Sequence, residues 1–71
     1  MKVTVCKIPG IPKEIELPAG DWDAESVIKH SGVTDKIFKV GKYYLNSKEV
    51  SPSEEVHEGD TVHVHPKVFM D

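Results

Sequence analysis

Both ends of this chain alternate. Met1, Val3 and Val5 interleave with Lys2, Thr4 and Cys6 at the start, and Val62 and Val64 interleave with Thr61, His63 and His65 near the close. A period of two sends successive side chains to opposite faces, so each end predicts a strand with one apolar and one polar face. Two half-buried strands need a common core. With 71 residues the chain buries only about 60% of the surface its unfolded form exposes, which leaves room for a single domain over residues 1–71 and a marginal stability. Ten Val and five Ile against two Leu and two Ala push the same way, because β-branched side chains favour pleated surfaces over helices.

The segments between the ends fit one sheet and one helix. Pro9, Gly10 and Pro12 form a turn cluster, and beyond it Ile15 and Leu17 alternate with Glu14 and Glu16. The first two strands therefore read as an antiparallel hairpin, stopped by Pro18 and Gly20. Ala24, Val27, Ile28 and Ser31 follow the i, i+3, i+4, i+7 spacing of a helix over residues 22–31. Asp21 or Asp23 is placed to cap it, Lys29 and His30 suit the dipole at its end, and Gly32 supplies the left-handed residue that stops it. Val33 is expected to fold back onto the helix, and Trp22 to cover the open end of the core. IFKVGKYYLN is strand-like with Gly41 in its middle, where a bulge would shift which side chains point inward. Asn46 and Ser47 read as a turn, the residues around Pro52 as a loop, and Glu58, Gly59 and Asp60 as a tight turn into the last strand, Thr61 to Lys67.

Composition excludes several classes. A lone Cys6 forms no internal disulfide and belongs to no CxxC pair, which points to a reducing compartment. No run of about 18 apolar residues occurs, so the expectation is a cytoplasmic protein with no membrane association. The net charge of -3, with lysines scattered along the chain, argues against nucleic acid as a partner. No glycine-rich phosphate loop, Ser-His-Asp arrangement or HExxH motif is present, and 71 residues leave little volume for a pocket of about 300 Å³ or more. No cofactor is expected.

The resulting order is strand, strand, helix, strand, short strand, strand. It predicts an α+β fold with a mixed four- to five-stranded sheet and one helix packed on one face, the β-grasp or ubiquitin-like plan. The stretch LNSKEVSPSEEVHEGDTVHVHPKV resembles the second half of the small sulfur-carrier proteins ThiS and MoaD, with Leu45, Asn46, Val50, Pro52, Gly59, Asp60, Val62 and Val64 standing at the positions of that pattern. IELPAGDWDAESVIKHSG is similar to their second strand and helix, and also to the TGS domain. The resemblance implies a carrier whose terminal glycine carboxylate is adenylated and converted to a thiocarboxylate. Here the chain departs from the family, because Phe69, Met70 and Asp71 stand where the glycine pair belongs. That departure argues against carrier chemistry and in favour of a non-catalytic interaction module or small subunit. A divergent sulfur-carrier relative without the diglycine tail and a TGS-like RNA-contacting module are the alternatives.

Three candidate sites follow. Thr4, Cys6, Tyr44, His63 and His65 would form a patch on the open sheet face that meets another protein, provided that Tyr44 points outward; inward, it would leave only wet surface. Phe69, Met70 and Asp71 form a tail that either tucks over the sheet edge or is read by a partner. Cys6, His57, His63 and His65 have the ligand types of a zinc site, against which stands the ordinary solvated sheet face. Glu54, Glu55 and Glu58 read as solvated surface, and Asp60 is expected to bond its own turn.

Overall fold

The computed structural model describes residues 1–8, 10–33 and 40–67. β1 (Lys2–Lys7) pairs antiparallel with β2 (Lys13–Glu16) and parallel with β7 (Thr61–Pro66). On its other side β7 pairs antiparallel with β4 (Val40–Leu45), which turns back into β5 (Lys48–Val50). The sheet order is β2-β1-β7-β4-β5, so the two terminal strands lie side by side within a mixed five-stranded sheet. One face is covered by α1 (Ala24–Ser31), and the architecture is α+β. No described helix is long and apolar enough to cross a membrane.

Alternation translates directly into burial. Val3 and Val5 from β1 and Val62 and Val64 from β7 meet Ala24, Val27 and Ile28 of the helix, with Leu17 and Val56 closing the cluster. Each fully buried aliphatic side chain contributes about 1.5–3 kcal/mol relative to exposure, which is how so small a core offsets chain entropy.

The helix starts two residues later than its periodicity predicts. Asp23 is the N-cap, with Oδ1 accepting from the Ser26 N–H at 2.7 Å, and this bond holds its carboxyl below the ordinary value of 3.8. Trp22 and Asp23 are themselves extended, forming β3 (Trp22–Asp23) against β6 (Glu55–Val56). This two-stranded sheet was not foreseen, because two-residue strands carry no periodicity. It sets the 52–56 segment over the helix start, where the carbonyls of Glu54 and Pro52 accept from the N–H groups of Ala24 and Glu25 at 3.0 and 2.9 Å. Those donors have no partner within the helix, so the loop completes the cap. Gly32 ends the helix at φ +71°, and Val33 and Trp22 pack against the core as expected.

Gly41 marks a bulge between Val40 and Lys42. A Cβ at this position would lie 2.8 Å from Lys67 Cα and 2.9 Å from the Pro66 carbonyl oxygen, so only glycine lets β4 approach the end of β7 this closely. The extra residue changes the parity. Val40, Tyr43 and Leu45 pack against the core, while Lys42 and Tyr44 take the opposite face.

Candidate functional site: the open sheet face

The parity set at Gly41 decides what the face away from the helix carries. Register places Tyr44 opposite His63, Lys42 opposite His65, and Cys6 beside His63 across the parallel pair. A row therefore runs Cys6, His63, Tyr44, Glu49 over four strands, with Thr4 and Thr61 below it and Lys42 and His65 above. The Tyr44 and His65 rings sit 4.7 Å apart, centroid to centroid, at 50°. This tilted contact fixes the tyrosine across two strands. Lys42 Nζ reaches Glu49 Oε1 at 3.8 Å, an exposed pair of small energy. Among the described residues no element covers this face.

Adjacent tyrosines thus have opposite environments. Burial pushes the Tyr43 phenol above its ordinary value of 10.0, with the negative charges of Glu25 and Asp23 adding to the shift. Tyr44 is half-buried among polar neighbours.

Cys6 departs from expectation. It stands on the outward side of β1 by register, yet it is only 3% exposed and outside the core cluster. Gly10 lies against it, and the thiol donates to the Gly10 carbonyl at 3.7 Å. A partner on the sheet face would meet Thr4, Tyr44, His63 and His65, but not this thiol.

The four zinc ligands are not brought together. His57 lies in the turn before β7, exposed, with Nε2 2.5 Å from Glu55 Oε1 and Nδ1 4.0 Å from Asp60 Oδ2. It is held at the end of the sheet where β7 begins, while His65 stands near the end where β7 finishes. Among the described residues no three His, Cys, Asp or Glu side chains are grouped to hold a metal. Phe69, Met70 and Asp71 lie outside the described residues. Asp60 does bond its own turn: Oδ2 accepts from the His57 N–H at 2.8 Å, and Oδ1 accepts from the Asn46 side-chain amide at 3.0 Å. Asn46 also accepts from the Thr61 N–H at 3.0 Å, tying the β4–β5 turn to the start of β7.

A surface groove of about 640 Å³ opens beside the row, lined by Ile8, Gly41, Lys42, Tyr44, His65, Pro66 and Lys67. The groove exceeds the roughly 300 Å³ for which a chain of this length was expected to leave little room. This space costs no core, since it lies outside the sheet beside the Gly41 bulge and the end of β1. Comparison with protein-family models, curated proteins and solved structures finds no match. The groove had one usable signal in the sequence, Gly41, whose consequence depended on a strand distant in the chain.

Proposed function

We propose that this chain is a non-catalytic β-grasp protein, ubiquitin-like in build, that docks another protein through its open sheet face as an interaction module or small subunit. The plan is supported by the order β2-β1-β7-β4-β5, with parallel β1 and β7 inside the sheet and one helix across it. Docking is carried by one observation: Tyr44, His63 and His65 project from neighbouring central strands on the face that the helix leaves open. Tyrosine concentrates binding energy because it presents a rigid amphipathic surface with little rotamer entropy to lose.

The test is a pair of variants scored on two axes. Tyr44→Ala combined with His63→Ala should abolish capture of the native partner, and a photo-cross-linker placed at Thr61 should label that partner. Stability should fall by at most about 1 kcal/mol, the scale of one aromatic pair. A large loss of stability with capture intact would make the row structural. Mass spectrometry of the native C-terminus separates a docking module from a sulfur carrier, since a sulfur-modified end selects the carrier.

A further inference from the structure

Some of the surface depressions among the described residues differ in charge. The groove beside the Tyr44 row is lined by Lys42, His65 and Lys67 and by no carboxylate. A smaller hollow of about 190 Å³ is lined by Lys7, Gly10, Ile11, Lys13 and Val33, again with no carboxylate. A third, about 200 Å³, is lined by Asp21, Trp22, Asp23, Ser53 and Glu55, with no basic residue. Strand direction explains the separation. Lys7 closes β1, Lys13 opens β2, Lys42 lies near the start of β4 and Lys67 follows β7, so all four gather at one end of the sheet. Glu58 and Asp60 precede β7 at the other end, where the Gly59 N–H meets the Lys2 carbonyl. Four lysines far apart in the chain thus share one end of the sheet on a protein of net charge -3, while Lys2 and Lys48 stand at the other end beside Glu58 and Asp60.

That end is also apolar. Ile11 is 89% exposed, the one large hydrophobic side chain so exposed among the described residues, and Ile8, Pro66 and Tyr44 line the adjoining groove. Lysine charge combined with aliphatic walls selects a ligand that brings carboxylates and an apolar side chain together. A nucleic acid strand would want open aromatic faces to stack on, and among the described lining residues the Tyr44 and His65 rings already pack against each other. Lys7 and Lys67 each also engage a group of the protein itself, and Lys42 is shared with Glu49, so the ligand meets a basic field to which each of several cations contributes.

We propose that the basic end of the sheet, centred on the groove between Ile8, Tyr44 and Pro66, receives an extended acidic segment of the partner protein that carries an apolar side chain between carboxylates. This rests on the docking function above and names the chemistry of what docks.

A synthetic nonapeptide with one leucine flanked on both sides by glutamates serves as the probe, titrated into the isotope-labelled full chain. Its counterpart with glutamine for glutamate and an eight-nucleotide oligouridine serve as comparisons. Amide shifts should concentrate at Ile8, Ile11, Lys42 and His65. The glutamate peptide should bind roughly tenfold or more tightly than the glutamine peptide, weakening as salt rises. Lys42→Glu and Lys13→Glu, both at exposed positions, should each cost roughly tenfold with the melting temperature followed alongside. Equal binding of the two peptides, shifts at the Asp21–Glu55 end, or tighter binding of the RNA would each overturn the proposal. If no peptide binds while the Tyr44→Ala, His63→Ala protein still loses its partner, the acidic segment is wrong and the docking face survives. Peptide binding at the groove with partner capture unchanged in that variant would sink the docking face alone.

Discussion

The two faces of β1 and β7 share one backbone and differ in almost everything else. On the inner side Val5, Val62 and Val64 are fully buried beneath the helix; on the outer side Thr4, His63 and His65 are half-buried and carry hydrogen-bonding groups. The contrast separates two demands on the same strands. The inner face must supply nearly all the apolar burial that a 71-residue chain has at its disposal, so it is filled with valine and tolerates no polar atom. The outer face is released from that demand, and its residues are free to be chosen for recognition.

The sharpest way to break this comparison is to put charge on the inner side. Val64→Asp should cost several kcal/mol, because a carboxylate there has no partner, and should leave the chain unfolded by circular dichroism at 25 °C. A folded Val64→Asp protein would mean that the inner and outer faces have been interchanged.

Next in size is the bulge that decides which tyrosine faces out. Gly41→Ala pushes a Cβ against backbone atoms of residues 66 and 67, and should destabilise by about 1–3 kcal/mol in urea titrations. A neutral result would remove the close approach of β4 and β7, and with it the placement of Tyr43 and Tyr44.

Smaller effects belong to the helix start and the sheet edge. Asp23→Ala should lower the urea midpoint through the lost cap, by less than Gly41→Ala does. Asp23 is held below its ordinary 3.8 by the bond from Ser26, and Glu16 below its ordinary 4.5 by a 2.7 Å bond from the Met1 ammonium. Groups whose folded values are depressed contribute stability that is fully present above the ordinary value and lost as pH falls through the folded one. The urea midpoint should therefore drop between about pH 5 and pH 2, and by less in Asp23→Ala. A midpoint that stayed flat over that window would remove both interactions.

The smallest effect sharpens the boundary of the open face. Cys6 should resist a hydrophilic thiol reagent in the native protein and react on unfolding, with alkylation followed by mass. Rapid native labelling would return Cys6 to the proposed docking patch. Treatment with a chelator should leave the melting temperature unchanged, since His57 and His65 stand at opposite ends of β7.

Much of this molecule could be read before any contact was known, and particular residues show why. Asp23 and Gly32 signal helix ends through local backbone chemistry, and Val3, Val5, Val62 and Val64 signal inward faces through period alone. Asn46 and Ser47, both with positive φ, form the tight turn that their types suggest. By contrast, the outward direction of Tyr44 could not be settled from IFKVGKYYLN, because a bulge of one residue reverses parity and its position depends on the facing strand.

Local chemistry therefore determined the alternating faces, the single capped helix and the turns, since each is written in residues within a few positions of one another. Only the tertiary structure decided that Pro52 to Val56 completes the helix start, that Gly10 lies against Cys6, and that lysines from four separate segments share one end. Those outcomes depend on which distant segments lie side by side and in what register, a choice made by burial of the whole core and not by any stretch of it.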